Sequence, residues 1–442
     1  MQVDTRSEPL LRTLAWGVFA LGISLYMLLS ADTLVALGFP YTATEGSPLA
    51  KFHPGTYCLL LAWLLVISSH GNPVSVLGNQ IVRHPLLAGY FACMILVFVW
   101  VLYRHGVSGI AYIVESLWAP AITLFALYLL DLRRHRQIVQ ITMALLAFNA
   151  MVAIGEFQTG MRLAPQSEEG IFVQEYFRAS ALLGHPLSGA QIVVSLLPAV
   201  TLLPWSFFVR LTTGVLLVFS LFAFGGRSSL VTGFVFYGSY GLHRLFLAIV
   251  RGRFSYLQLT GGSLALMLGI TTVAGVVAVS GIGERFFQNL YWDDSASVRG
   301  RVWGIFAHLS SSDWWLGISP AEINRLSLRI GLDPKSEAIE NFWIYLFMQF
   351  GVVGYIPFVA GLALLLVVLW RAATPTMRVA IIVYFLVASS ANTLASKTMS
   401  LTMLALVVVA GEAFRPPRSA TGVSRRYSLQ GAIAGSRFGK IV

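Results

Sequence analysis

The chain has 442 residues, 57% of them hydrophobic and 11% charged, with a mean hydropathy of +0.75. A soluble domain carries about 25% charged residues, so a water-soluble fold is excluded and lipid is the expected solvent. Thirty Lys and Arg against 19 Asp and Glu leave a formal charge of +11. The excess falls in short loops and the C-terminal tail, which fits the positive-inside rule and speaks against a nucleic-acid partner.

A spanning helix needs about 20 mostly apolar residues. Runs of roughly that size fall near 11–30, 55–70, 86–103, 108–130, 137–156, 186–203, 206–224, 228–248, 259–281, 341–369, 377–392 and 399–413. They predict an all-α integral membrane protein of about 12 transmembrane helices, with 1–413 as one polytopic domain. The first run reads as a span, not as a cleavable signal. Cys58 and Cys93 lie inside apolar runs, which excludes a disulfide framework and a cysteine metal site. With the N-terminus in the cytoplasm, the inward connections hold Arg83, the cluster Arg133-Arg134-His135-Arg136, the stretch Arg244–Arg253, and Arg371 with Arg378. The tail 414–442 adds Arg415, Arg418, Arg425, Arg426, Arg437 and Lys440 and reads as a disordered basic segment near an anionic leaflet. Both termini are therefore expected inside.

Two outward connections are large, about 157–185 and about 282–340. The second lies between the ninth and tenth helices and carries six basic and eight acidic residues together with Trp292, Trp303, Trp314 and Trp315. Those tryptophans read either as aromatics of the water–lipid boundary or as a stacking surface for sugar. No fixed-period helix repeat or inverted half is visible.

Charges at the mouth of a lipid-embedded bundle are costly and mark function by default. In Phe224-Gly225-Gly226-Arg227-Ser228-Ser229 the glycines permit a tight turn, Ser228 is placed to cap the next helix, and Arg227 beside a helix N-terminus favours a phosphate. The bland reading makes Arg227 a headgroup anchor. Ser297-Val298-Arg299-Gly300-Arg301-Val302-Trp303 offers two planar forks for phosphate, or two partners for Asp293 and Asp294. Arg178 precedes Gly184-His185-Pro186, where His185 is an acid, a base or merely a solvated histidine. Glu340-Asn341 opens the tenth helix, where a carboxylate either caps or takes a proton from a sugar hydroxyl. Glu115, Glu156 and Lys397 are lesser candidates that need partners. There is no P-loop, His-Glu-x-x-His, G-x-S-x-G elbow or Asp-rich cluster, so no cofactor and no metal is expected.

The ordered set Phe224-Gly-Gly-Arg-Ser-Ser, Arg299 four residues before Trp303, Gly317-Ile318-Ser319, and Glu340-Asn341-Phe342-Trp343 running to Gly351-Val-Val-Gly354 resembles the O-antigen ligase and Wzy-type polymerase superfamily. Arg178-Ala-Ser-Ala-Leu-Leu-Gly184-His185-Pro186 extends the likeness, which covers roughly residues 140–400. The resemblance implies a metal-independent glycosyltransferase of the bacterial inner membrane, active at the periplasmic face, with an undecaprenyl-pyrophosphate-linked oligosaccharide as donor. Its implied partners are that donor, membrane lipids, a chain-length regulator and export machinery. Carried onto this chain, Arg227 and Arg299 hold the pyrophosphate leaving group with Glu340 as catalytic base, and Arg178, His185, Arg301 and Asn341 bind substrate. Many relatives have His-Asn where this chain has Glu340-Asn341, which turns the reading from a ligase toward an exopolysaccharide repeat-unit polymerase. A ligase of finished glycans and a flippase of lipid-linked sugars are the competing readings.

Overall fold

The computed structural model describes residues 7–42, 47–70, 72–107, 110–165, 167–168, 171–172, 177–252, 300–332 and 339–415. Apart from a two-residue antiparallel pairing of Ser167–Glu168 with Ile171–Phe172, the described residues are helical or connecting. The helices are α1 Ser7–Leu28, α2 Ala31–Ala36, α3 Pro54–Ser68, α4 Pro73–Arg83 and α5 Pro85–His105. A π-helical turn, Ile113–Trp118, leads into α6 Ala119–Tyr128, followed by α7 Leu132–Thr159 and α8 Pro186–Leu196. Then come α9 Phe207–Phe224, α10 Arg227–Val250, the short α11 Ser311–Leu316 and α12 Pro320–Arg329, α13 Phe342–Ala372, α14 Pro375–Ser389 and α15 Ser400–Ala410.

Every expected apolar run except 259–281 holds one of these helices; that run lies outside the described residues. Among the described residues six helices are long and apolar enough to cross a membrane: α1, α5, α7, α9, α10 and α13. The bent pair α3–α4 makes a seventh if it counts as one span. Four further apolar segments, Ile113–Tyr128, Pro186–Leu202, Pro375–Ser389 and Ser400–Phe414, are shorter than 18 residues. At 1.5 Å per residue they extend no more than about 26 Å, less than the roughly 30 Å hydrocarbon layer. Their mutual contacts explain why they are short yet apolar all round. The residues of α15 are buried throughout, between α6, α7 and α8, so this helix is core and not lipid-facing wall.

The arginine-rich connections gather at one end. Arg136 donates to the Ala413 carbonyl at 2.9 Å, Arg415 donates to the Ala372 carbonyl at 2.5 Å, and the His84 ring stacks on Tyr128. This basic end carries the turns that the charge pattern assigns to a single side. The opposite end collects the ends of α1, α7, α9 and α14 and the beginnings of α3, α8, α10 and α13.

The longest helix, α13, is interrupted at Gly351, whose φ of 60° and ψ of 178° are accessible only to glycine. Gly317, with φ of 75° and ψ of 170°, lies against it. A methyl on Gly351 would sit 2.6 Å from the Leu316 carbonyl carbon, and one on Gly317 would sit 2.7 Å from the Gly351 nitrogen. The carbonyls released by the break find donors. Ile318 N–H donates to Met348 at 2.8 Å, the Trp100 indole to Phe350 at 2.8 Å, and the His105 ring pairs with Gln349 at 2.9 Å. Above the break, a 3₁₀ segment Val302–His308 with α11 and α12 surrounds the first part of α13. Val302, Ile305, Ile318, Ile323, Leu326, Ile339, Ile344 and Met348 form a small apolar core of its own there.

Gly351→Ala should therefore be poorly tolerated. Backbone strain of about 1–3 kcal/mol adds to a backbone clash of similar size, whereas Gly155→Ala, with open space around the site, should be neutral. Thermal midpoints of the two detergent-purified variants compare these outcomes, and equal midpoints would dismiss the role given to the break.

Candidate functional site

The opposite end holds the residues with chemical potential. Glu156, buried near the end of α7, accepts from the Leu163, Ser180 and Ala181 amides at 2.7, 2.9 and 2.8 Å. Two turns earlier Asn149 accepts from Leu182 N–H at 3.0 Å and donates to the Met27 carbonyl at 2.8 Å. These bonds fold residues 178–185 tightly enough to hold Ala181 at a positive φ of 49°, a conformation kept only where surrounding bonds over-determine it. Glu156, a lesser candidate from sequence, thus acts as a backbone staple beneath Arg178 and His185.

Arg162 donates to the Arg178 carbonyl at 3.0 Å. His185 is the N-cap of α8, its Nδ1 accepting from Leu187 N–H at 3.3 Å. Its ring stays open to the surface, yet desolvation by the surrounding protein and the charges of Arg178 and Arg162 lower its pKa. The neutral ring accepts at Nδ1, which leaves the proton on Nε2 as a donor.

The Arg227 turn joins the same place. Gly225 ends α9 in the left-handed conformation, with φ of 65°, and its Cα faces the Arg178 stem: a methyl there would meet Cδ at 3.5 Å. Gly189 lies so close to Phe224 that a methyl would sit 2.7 Å from the ring. The glycines therefore do two jobs, turning the chain and letting α8, α9 and α10 meet. Arg227 is the first residue of α10 and Gly226 its N-cap, so the expected cap by Ser228 is corrected: Ser228 lies within the first turn. Gly226 brings no side-chain cap, and the Arg227 amide bonds back to the Gly225 carbonyl at 3.1 Å.

Glu340-Asn341 reaches this end by a different route. Asn341, not Glu340, caps α13, its Oδ1 accepting from Trp343 and Ile344 N–H at 3.0 and 3.2 Å. Glu340 sits one residue outside the helix, is half-buried and does not supply the cap. Phe342 N–H donates to the Ala391 carbonyl at 3.2 Å and the Trp343 indole to Ser389 at 2.8 Å, fixing this corner to the end of α14. Tyr240 of α10 meets Thr376 of α14 at 3.3 Å, and the two helices pack together. From that contact Arg227 and Ser389 are each about 20 Å further along their helices in the same direction, so the two corners share one level.

Arg301 has a structural partner: it donates to the Gly331 carbonyl at 2.8 Å, tying the 3₁₀ segment to the end of α12. Arg299 lies outside the described residues, as do Trp292, Asp293 and Asp294. Trp303, Phe306, Trp314 and Phe347 form an aromatic row with centroids 5.2–5.8 Å apart, continued by Tyr355 below the break. A row that runs from the small upper core down the flank of α13 suits the membrane boundary.

Sequence reasoning missed Arg162, Tyr41 and His53. Glu115 accepts from the Tyr41 hydroxyl and the His53 amide, while Lys397 donates to the Tyr41 and Lys51 carbonyls at 2.6 and 3.0 Å and lies 4.1 Å over the Tyr41 ring. Burial lowers the Lys397 pKa, against the raising influence of Glu115. His53 caps α3 with Nδ1 toward Gly55 at 3.0 Å and donates from Nε2 to Leu29 at 2.5 Å. Only His53-Pro54 before an apolar run hinted at that cap; the partners come from distant segments. Cys58 and Cys93 are both free, and no group of metal-ligating side chains occurs among the described residues.

Compared with protein-family models and with curated proteins, the chain matches none.

Burial lowers the His53 pKa from 6.5 to about 4, so its contribution to stability is complete above about pH 6.5 and is lost as pH falls toward 4. The thermal midpoint should drop between pH 7 and pH 5, and His53→Gln, which keeps the cap acceptor, should flatten the drop. An unchanged slope would place the acid sensitivity elsewhere.

Proposed function

We propose that the chain is a membrane glycosyltransferase that takes oligosaccharide repeat units from undecaprenyl pyrophosphate and joins them into a surface or exopolysaccharide, as its resemblance to the O-antigen ligase and Wzy-type polymerase superfamily implies. In this reading twelve crossings place both termini in the cytoplasm and residues 282–340 outside, so the site end faces the periplasm of the inner membrane. The observation that carries the reading is the convergence of Arg162, Arg178, His185 and Arg227 around the first turns of α8 and α10. That concentration of fixed donors on a lipid-embedded bundle suits a large anion.

The chemistry follows from charge. An acceptor sugar hydroxyl attacks the anomeric carbon of the donor, and the bond from that carbon to the pyrophosphate oxygen breaks. The electron pair leaves with undecaprenyl pyrophosphate, and the hydroxyl proton passes to Glu340. Arg227 and Arg299 neutralise the leaving group as its charge grows, which stabilises the transition state beyond the ground state. Neutral His185 donates from Nε2 to a sugar or phosphate oxygen, and Arg178 fixes the donor. Arg301 and Asn341 act on substrate indirectly, by holding the upper core and the Glu340 corner.

Arg227→Ala and Arg299→Ala should each lower polymer formation at least tenfold, about 1.4 kcal/mol, at matched membrane levels, and lysine should rescue poorly because the planar fork is lost. Glu340→Gln should cost about a hundredfold or more if the carboxylate takes the proton; full activity there would remove the base and leave the arginines. A strain lacking the gene should lose polymer and accumulate single lipid-linked units. Accumulation of long lipid-linked polymer would make the chain a ligase, and trapping of units on the cytoplasmic side would make it a flippase.

The orientation has its own test. A reporter fused after Arg426 should be active only in the cytoplasm and one inserted near Ser311 only outside. An external C-terminus would reverse the bundle and detach the site from the periplasm.

A further inference from the structure

The basic end contains a cavity of about 280 Å³ between the α4–α5 junction and the end of α13. Its wall includes Arg83, His84, Tyr128, Arg371 and Glu412, with Leu86 of the first turn of α5. Two guanidinium groups thus arrive from separate elements. Glu412, the one carboxylate in the wall, is engaged by Arg415 at 3.3 Å, so the cavity keeps a positive balance. Neighbouring arginines are committed to helix ends: Arg415 to the Ala372 carbonyl and Arg378 to that of Trp370.

The helix leading into this cavity is inside out by the standards of water. α4 turns 106° from α3. It buries Gln80, which donates to the Phe125 carbonyl at 2.7 Å and accepts from the Trp63 indole at 3.3 Å. Val74, Ile81 and Val82 are exposed instead. A bent-over helix that buries one bonded glutamine and turns Val74, Ile81 and Val82 outward has the form of an interfacial segment whose outer apolar side rests among acyl chains. Arg83 ends that helix, at the level where those chains meet their headgroups.

We propose that this cavity holds the phosphate headgroup of an anionic phospholipid, clamped between Arg83 and Arg371, with its acyl chains lying over the exposed face of α4. Two guanidinium forks from different helices give a phosphate bidentate partners that a zwitterionic headgroup meets less favourably, because its own ammonium is repelled. The His84–Tyr128 stack, with centroids 3.9 Å apart, forms a flat wall for the headgroup's glycerol. The open amides of the first turn of α5 add positive potential. The proposal is independent of the enzymatic reading, since it concerns the other end of the bundle.

The test uses the full chain purified in neutral detergent, with phosphatidylglycerol, cardiolipin or phosphatidylcholine titrated in and bound lipid counted by native mass spectrometry. Phosphatidylglycerol and cardiolipin should be retained over phosphatidylcholine by at least about tenfold. The double variant Arg83→Gln/Arg371→Gln should lose that preference, while Glu412→Gln should strengthen it, a gain that misfolding cannot imitate. Equal retention of phosphatidylcholine, or undiminished preference in the double variant, would overturn the proposal. So would inorganic phosphate displacing the lipid at millimolar concentration, which would make the cavity a site for a soluble anion.

Discussion

A helix in hydrocarbon has nowhere outside the protein to send a carbonyl it no longer bonds, and at Gly351 the longest of the described helices releases several. The upper part of the fold answers that constraint. Ile318 N–H, the Trp100 indole and the His105 ring meet the carbonyls of Met348, Phe350 and Gln349, and the backbone approach of Gly317 to Gly351 is what brings Ile318 within reach. Because those donors come from the segment before α12 and from the end of α5, the break locks three separate regions into one arrangement. The Glu340–Asn341 corner sits at the top of the short upper part of α13, so its position depends on the angle fixed at this joint.

The same economy runs through the arginine corner. Glu156 and Asn149 use side-chain oxygens to satisfy the amides of residues 163 and 180–182, where a regular helix would have used carbonyls. This permits a compact irregular turn in an apolar bundle, and it carries Arg178 and His185 to the beginning of α8. Gly225, Gly226 and Gly189 remove side-chain bulk where α9 turns into α10. The basic groups thus rest on two bonded carboxyl and amide side chains and three glycines, none of which needs to touch a ligand.

The legible part of this fold was whatever depends on local composition. Apolar runs marked the helices, the gap between the runs 186–203 and 206–224 marked a real interruption before α9, and arginine spacing marked the turns that meet at the basic end. Gly225-Gly226 was readable as a turn because positive φ is a property of one residue. What stayed hidden depends on partners far apart in the chain. Glu115 and Lys397 could be noted as costly charges, but nothing local said that Tyr41 and the His53 amide would enclose the carboxylate or that Lys397 would cover the Tyr41 ring. Capping was misjudged for a similar reason: Ser228 and Glu340 have suitable chemistry, but backbone geometry gives the cap positions to Gly226 and Asn341.

The four short apolar segments bear on the bilayer itself. Pro186–Leu202 and Pro375–Ser389 pack against each other and against α10, while Ser400–Phe414 packs against α6, α7 and α8, and α8 and α10 begin at the basic groups. Where a protein's apolar height falls below the hydrocarbon thickness, lipids tilt and shorten to match it. Here, however, α8 and α15 are buried, so the lipid beside this part of the bundle meets α10, which is long enough to cross and is largely unburied, and the short helices can stay short behind it.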